Sequence, residues 1–597
     1  MKIKITIYLF ALLIGINLNA QQFTQVFTGA ITTSNNSSGG CSWIDYNNDG
    51  HVDLFVTNTN TDSQLFKNNG DGTFEEITTG DIVNDNGVSA CSIWGDYDND
   101  GNIDVFVSNN PPNTSPAQLN FLYKNDGAPN YSFSKILAPP SQDDANYTWS
   151  SSWVDYDNDG DIDLHMPDNK HLKTDFFYEN NGDGTFTSVS PSFVTPNVES
   201  TGVVSWIDYD HDGDQDLFMI KSGRTHPDDG EDNRMYHNLL KETGSLEFQR
   251  VYTAEMVNHF DLDFQASWGD YDNDGDMDVY LGNFDAQNYL YRNEGDSIFT
   301  QITTGPAVTN NTRTLGSTFG DFDNDGDLDL YVLNTNGQVS RYYQNDGAGN
   351  FTNLFFSSIG TPVTNLSAIQ GCANADYNND GYLDLYVANS FTSGNAKNFL
   401  YKNNGGDNKY LLLTCKGTIS NSSAIGTKIW VKATINGNPL WQLRHITGSP
   451  TGNRAQNDLR VHFGLGDATT IDSLVIEWPL GLKEAYTSIS SNQILEVIEG
   501  EPLGLSELEK EKMALTVFPN PAQSEININY QVLHSNQKIQ IKILDNSFRE
   551  VKTIFEGVQQ KGFQEFNLKT NDWTSGTYYL ALKSEGAILS KKIIIIK

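Results

Sequence analysis

The sequence predicts an all-β chain: a seven-bladed β-propeller with ion-binding loops, followed by two small β domains. Three observations predict it. A nine-residue acidic stretch, cleanest as Asp270-Tyr271-Asp272-Asn273-Asp274-Gly275-Asp276-Met277-Asp278, occurs seven times. Successive copies start 51, 59, 53, 62, 51 and 55 residues apart, a spacing that suits a four-stranded blade and is long for a solenoid coil. From Lys409 the repeat stops, while β-type apolar runs continue to the end of the chain.

Oxygen ligands fall at positions 1, 3, 5 and 9 of each stretch. They are Asp45, Asn47, Asp49 and Asp53; Asp96, Asp98, Asp100 and Asp104; Asp155, Asp157, Asp159 and Asp163; and Asp208, Asp210, Asp212 and Asp216. The remaining copies supply Asp270, Asp272, Asp274 and Asp278; Asp321, Asp323, Asp325 and Asp329; and Asp376, Asn378, Asp380 and Asp384. Odd-numbered side chains converge as the backbone curls, and Gly at position 6 permits the sharp turn. A hard cation that takes about six to eight oxygens fits so many carboxylates, so Ca²⁺, up to seven ions, is the expected cofactor. The EF-hand pattern has its acid at about position 12 between helices; here the acid is at 9 and strands flank the loop.

Residues 1–20 read as a Sec signal peptide. Lys2 and Lys4 precede the apolar stretch Ile5–Ile16, and Leu18-Asn19-Ala20 resembles a cleavage site. Residues 21–408 then form the repeat region. In each unit a strand ending in an aromatic residue enters the loop, as in Cys91-Ser92-Ile93-Trp94-Gly95, and Asp104-Val105-Phe106-Val107-Ser108 leaves it. A third strand such as Leu65-Phe66-Lys67-Asn68 turns through Asn69-Gly70-Asp71-Gly72 into Phe74–Thr78, because Asn-Gly and Asp-Gly tolerate positive φ. Phe23–Phe27 looks like a fourth strand without a third, and Phe399–Asn403 like a third without a fourth. Their pairing would close the ring and remove two sheet edges.

Two residues before each loop stand Trp43, Trp94, Trp153, Trp206, Trp268, Phe319 and Asn374, read as inter-blade wedges and not as a ligand-facing row. The length-variable connections Asn109–Asn120, Pro167–Thr174 and Lys221–Arg234 fall on the face opposite the acidic loops, the face expected to meet a ligand.

These motifs across residues 22–404 resemble the FG-GAP/VCBS repeats of integrin-α-type propellers. The resemblance implies loops that bind Ca²⁺ to stiffen blades, not to touch ligand. The fourth unit departs most, its hairpin reading Leu239-Leu240-Lys241-Glu242-Thr243-Gly244.

Residues 409–499 form the first small β domain. Ala424-Ile425-Gly426-Thr427, His462-Phe463-Gly464-Leu465-Gly466 and Trp478-Pro479-Leu480-Gly481 resemble the ASPIC/UnbV domain of proteins related to cartilage acidic protein. Arg444, His445, Arg454 and Arg460 there read as scattered surface charge. After a linker at 500–514, residues 515–597 form the second. Val517-Phe518-Pro519-Asn520-Pro521, Ser575-Gly576-Thr577-Tyr578-Tyr579 and the terminus Lys591–Lys597 resemble the type A sorting domain of type IX secretion. That resemblance implies a Gram-negative bacterium, Sec passage, recognition by the type IX machinery, and a secreted or outer-membrane-surface product. Ile593–Ile596 is too short to span a membrane and suits an edge strand.

Composition bounds the function classes. The net charge is −39, and 26 of the 28 ligand positions are Asp. Seven Ca²⁺ would return about +14. The remaining acidity opposes nucleic acid or anionic lipid as a partner. Four cysteines are too few for a disulfide framework, and Cys41 and Cys372 read as buried thiols in neighbouring units. No G-x-S-x-G, H-E-x-x-H or phosphate loop occurs, so no catalytic residue is assigned. The expected function is non-catalytic adhesion or binding of a glycan or extracellular protein. A calcium-dependent polysaccharide lyase, drawing on His226, Arg224, Tyr147 and His259, and a purely structural scaffold are the alternatives.

Overall fold

The computed structural model describes residues 22–597 except 34–35, 112–117, 142–146, 170–173, 191–199, 222–231, 259–260, 296, 355–368, 391–396, 502–514, 533–536, 545–549 and 585–586. The signal peptide, most of the linker, and the candidates Arg224, His226 and His259 lie outside the described residues. So do the middles of the three length-variable connections.

The chain is all-β, as the alternation of apolar runs and Asn/Asp-Gly turns requires. Its repeat region forms seven four-stranded antiparallel sheets, each a meander of consecutive strands apart from the last. The first sheet is Ser38–Ile44, Asp53–Asn58, Gln64–Asn68 and Phe74–Ile77. In every sheet the acidic loop joins strands one and two, and Asp at position 9 opens strand two. The seventh sheet consists of Ile369–Ala375, Asp384–Asn389, Phe399–Asn403 and, at its edge, Phe23–Val26. The register Phe23↔Asn403 to Val26↔Leu400 makes the N-terminal strand the fourth strand of the last blade. First strands touch from each blade to the next and from the seventh back to the first, so the sheets form a closed ring.

Two circles of hydrogen bonds, absent from the sequence reading, hold that ring. The last Asn of each third strand donates Nδ2 to the position-2 carbonyl of the preceding blade: Asn68 to Tyr377, Asn125 to Tyr46, Asn180 to Tyr97, Asn238 to Tyr156, Asn293 to Tyr209, Asn345 to Tyr271 and Asn403 to Phe322. All are 2.6–3.0 Å. The wedge residues are buried as expected except Trp268, which is partly buried: Trp43 lies among Tyr377 and Tyr386 of blade seven, and Trp153 stacks on Tyr97 of blade two. Cys41, Cys91, Cys372 and Cys415 are buried free thiols.

In the fourth blade the degenerate hairpin folds as a short helix, Leu240–Thr243, ended by left-handed Gly244.

Residues 409–499 build two sheets. Lys409–Lys416 is flanked by Val461–Gly466 and Gln493–Ile498; Lys428–Ile435 lies between Asn438–His445 and Thr470–Glu477. This unit is not a free-standing bead. One apolar cluster runs from Ile93, Phe106 and Trp153 of the propeller into Leu411, Ile429, Phe463 and Trp478. The segment Gly448–Asp458 enters the centre of the ring and bonds to the first strand of every blade. Trp153 N donates to Gly448 O at 3.2 Å, and Trp206 N to Ser449 Oγ at 3.1 Å. Gln265 Nε2 donates to Thr451 O at 2.5 Å, and Cys372 N to Gly452 O at 2.9 Å. Cys41 and Ser42 pair in parallel with Ala455 and Gln456. Gln456 Oε1 accepts from Trp94 N at 2.7 Å, and Asn457 Nδ2 donates to Thr318 Oγ1 at 3.1 Å. Such approach needs glycine: a Cβ on Gly452 would lie 1.7 Å from Cys372 O, and one on Gly40 2.0 Å from Arg454 O.

The reading of Arg444, His445, Arg454 and Arg460 as scattered surface charge is therefore corrected. Arg460 is mostly buried, with Nη2 donating to Asp376 O and Nη1 to Asn379 Oδ1, both at 3.0 Å. Arg454 lies over the Trp149 ring and donates to Gln370. Burial lowers the His445 pKa to about 3. The spacing of Arg454 and Arg460 looked patternless because their partners Gln370, Asp376 and Asn379 belong to the propeller.

Residues 515–597 form two further sheets around their own core of Ile526, Ile528, Ile541, Leu580 and Ile593. The edge strand Ala587–Ile595 alternates as its position demands, with Ile593 and Ile595 buried and Ile594 and Ile596 exposed.

Candidate metal centres

Each acidic loop is shaped by its own side chains. In the fifth, Asp274 N donates to Asp270 Oδ1 at 3.1 Å and Asp276 N to Asp274 Oδ1 at 3.0 Å, curling the backbone around the carboxylates. Position 4 takes the left-handed conformation in every copy, φ 55–62°, with Asn in six loops and His211 in the fourth. That residue makes the second circle, donating to the position-6 carbonyl of the next blade. The chain of donors runs Asn48 to Gly101, Asn99 to Gly160, Asn158 to Gly213, His211 to Gly275, Asn273 to Gly326, Asn324 to Gly381 and Asn379 to Gly50, at 2.9–3.4 Å. The signal was present in the sequence as Asn at position 4, but only a closed ring reveals the acceptor.

The position-9 carboxylate locks loop to sheet. Asp104 accepts from Asn125 N at 2.7 Å and from Tyr97 N at 3.2 Å; Asp53, Asp163, Asp216, Asp278, Asp329 and Asp384 repeat the pattern. Positions 1, 3 and 9 converge: single carboxylate oxygens of Asp96, Asp98 and Asp104, and of Asp155, Asp157 and Asp163, lie within 4.8 Å of one another.

The donors present fit a hard divalent cation in six loops. At position 3 a buried carboxylate oxygen has no hydrogen-bond partner in four of them, Oδ1 of Asp98, Asp157, Asp272 and Asp323; in the other two, Asn47 and Asn378 offer an amide Oδ1. Burial raises the carboxyl pKa values, and neighbouring carboxylates add to it. Asp53 is raised to about 8, Asp104 to about 9, and Asp270 and Asp376 to about 7. Clustered carboxylates in low dielectric demand a counter-charge, proton or metal. In the fourth loop Asp208, Asp210 and Asp216 converge likewise, but Lys428 is ion-paired with Asp208 and the His237 ring lies against Asp210 and Asp216.

The C-terminal unit covers this face. Asp96 N donates to Ser423 Oγ at 2.7 Å, Gly466 N to Asn324 O at 2.7 Å, and His462 Nε2 to Gly381 O at 3.0 Å. Trp430 lies against Gly275, and Ile419 O against Gly160. Among the lyase candidates only Tyr147 is described, and its backbone carbonyl accepts from Asn169 N.

Three family models match separate stretches of the chain. The FG-GAP-like repeat model matches residues 45–107, 96–166, 169–219, 270–332 and 323–387. The ASPIC and UnbV model matches 417–503, and the secretion system C-terminal sorting domain 516–596. Cartilage acidic protein 1 of Homo sapiens is 26% identical over 127 residues, 21% of this chain and 19% of that protein. Its Mus musculus counterpart is 26% identical over 167 residues, 26% of this chain and 24% of the relative. The matched stretch thus spans about a fifth to a quarter of the length of these relatives. Among solved structures, PorZ, a surface component of the type IX secretion system of Porphyromonas gingivalis, is 10% identical, covering 95% of this chain and 82% of its own at TM-score 0.24. The fucose-specific lectin of Aleuria aurantia is 11% identical, covering 54% of this chain and 96% of its own at TM-score 0.33. Among the described residues no helix is long and apolar enough to cross a membrane. The chain carries FG-GAP-like repeats, an ASPIC and UnbV domain and a C-terminal sorting domain, the last of which indicates export by type IX secretion to the cell surface or outside.

Proposed function

We propose that the exported protein is a calcium-stabilised, non-catalytic binding module that engages a glycan or an extracellular protein through the face opposite its acidic loops. The observation that carries this reading is the capping of the loop face. The ASPIC and UnbV unit lies over the loops and fills the ring's centre, which leaves the length-variable connections as the free face. Variable loops on a rigid scaffold are the usual seat of recognition. The calcium assignment is supported by the donor set, all hard oxygen, and by the unpartnered position-3 carboxylate oxygens of Asp98, Asp157, Asp272 and Asp323. Calcium carboxylates that also accept two backbone N–H bonds are poor acids or bases, which supports a non-catalytic role.

A glycan array probed with the mature protein, in calcium and in chelator, tests it. Binding to a defined glycan class, lost in chelator and lost on shortening the 221–234 connection, is expected. Release of unsaturated sugars from any bound polysaccharide would replace this reading with a lyase.

A further inference from the structure

The fourth loop differs from the other six in what already occupies it. Lys428 Nζ, at the start of the strand Lys428–Ile435, lies 2.5 Å from Asp208 Oδ2, and the two side chains are only 3% and 2% exposed. His237 Nδ1 lies 3.0 Å from Asp210 Oδ2 and 3.2 Å from Asp216 Oδ1, while its Nε2 is 2.7 Å from Glu242 Oε1. Position 1 is therefore engaged by the ammonium of Lys428, and positions 3 and 9 face the His237 ring.

The second loop shows why this is not merely a basic residue drawn to acid. Lys124 there reaches Asp98 and Asp100 from the rim, with its side chain 32% exposed, and can swing back into water. Position 1 of that loop, Asp96, accepts backbone N–H groups of Asp100 and Gly101. Lys428 has no such exit. Its strand is fixed between His445 and Glu477 as cross-strand partners, Glu477 Oε1 lies 3.8 Å from Nζ, and withdrawal would leave the buried Asp208 carboxylate without its counter-charge. A divalent ion among Asp208, Asp210 and Asp216 would sit a few ångströms from that ammonium in low dielectric, where like charges repel most strongly. The fourth blade is also the one with His211 at position 4 and with a helical hairpin, Leu240–Thr243, that brings Glu242 to His237.

We propose that the fourth loop is not a divalent-cation site: the Lys428 ammonium, assisted by His237, takes the place of the metal, so the ring holds an ion at every loop except this one. The consequence is a key. A disc of seven similar blades offers seven similar settings for a cap, and one buried lysine opposite one metal-free loop selects a single setting. The proposal rests on reading the other loops as divalent sites.

Metal content per full-length mature chain, measured by plasma mass spectrometry after dialysis against calcium and then calcium-free buffer, tests it. Asp212→Ala alters the fourth loop without touching the lysine pair, and Asp274→Ala alters the same position of the fifth. The expected result is one ion fewer in Asp274→Ala, an unchanged count in Asp212→Ala, and one ion more in Lys428→Met. Loss of an ion from Asp212→Ala, or a wild-type count equal to the number of loops, overturns the proposal. A wild-type chain with no retained ion overturns the divalent reading of all the loops and is distinguishable from both. Should Lys428→Met fail to fold, the two alanine variants decide.

Discussion

A single asparagine shows how much a blade asks of one residue. Asn324 sits at φ 59°, where a side chain with Cβ is disfavoured unless it bonds locally, and its Nδ2 donates to Gly381 O of the next blade at 2.9 Å. Both demands can be separated by substitution. Asn324→Gly keeps the left-handed backbone and loses the bond, at about 1 kcal/mol. Asn324→Ala loses the bond and adds backbone strain, about 2 kcal/mol together. Urea denaturation of the calcium-loaded protein should rank the two in that order. Equal losses would mean that the backbone conformation contributes nothing. The same residue type was visible at position 4 in six of seven loops, and in the fourth His211 makes the equivalent bond to Gly275 O.

At the scale of elements, the segment Gly448–Asp458 does what no strand pair does: it contacts all seven blades at once. Its seat depends on backbones meeting without side chains between them. Gly452→Val would drive a Cβ to 1.7 Å from Cys372 O, a clash with backbone that cannot be relieved by rotating a side chain. The expected cost exceeds about 3 kcal/mol. It should appear as undocking of the cap before the ring melts: rapid proteolysis within 409–499 while the propeller core resists. Uniform resistance of the variant would show that the segment is not held by this contact. The N-terminal strand acts at the same scale, since Phe23–Val26 completes the seventh sheet from the opposite end of the repeat region. Hairpin signals set strand boundaries correctly where Asn-Gly or Asp-Gly occurred; in the fourth blade, where they did not, a helical turn took the place of the hairpin loop.

For the whole molecule, docking makes stability depend on pH. Burial lowers His445 to about 3 and His462 to about 4, both below the ordinary 6.5. A folded-state value below the unfolded one means that the stabilisation is complete above pH 6.5 and is lost as the pH falls towards the folded value. Each histidine should cost about 1 kcal/mol per pH unit below about 6.5. Denaturant midpoints of the calcium-loaded protein between pH 7.5 and 4.5 should fall accordingly, and His462→Gln should flatten the slope. A midpoint unchanged across that range would mean that the cap is not held by neutral histidines. The two circles of inter-blade bonds, the capped loop face and the filled centre then describe one closed unit, capped on its loop face.

The sequence by itself determined what repeats. Acid spacing, Gly at position 6, the aromatic wedges and the turn residues are local patterns, and they specified the strands, the loops and the partnership of the two chain ends. They also marked which carboxylates come together, because side chains two to eight residues apart around a tight turn converge whatever surrounds them. Only the tertiary structure decided what the unrepeated residues do. Lys428, Arg460 and His462 have as partners Asp208, Asp376 and Gly381, far away in the chain. Burial turns such charges from solvent-facing groups into parts of an interface, and burial depends on which surfaces meet. Spacing along a chain fixes local geometry, but a contact between two separately folded surfaces has no period for the sequence to show.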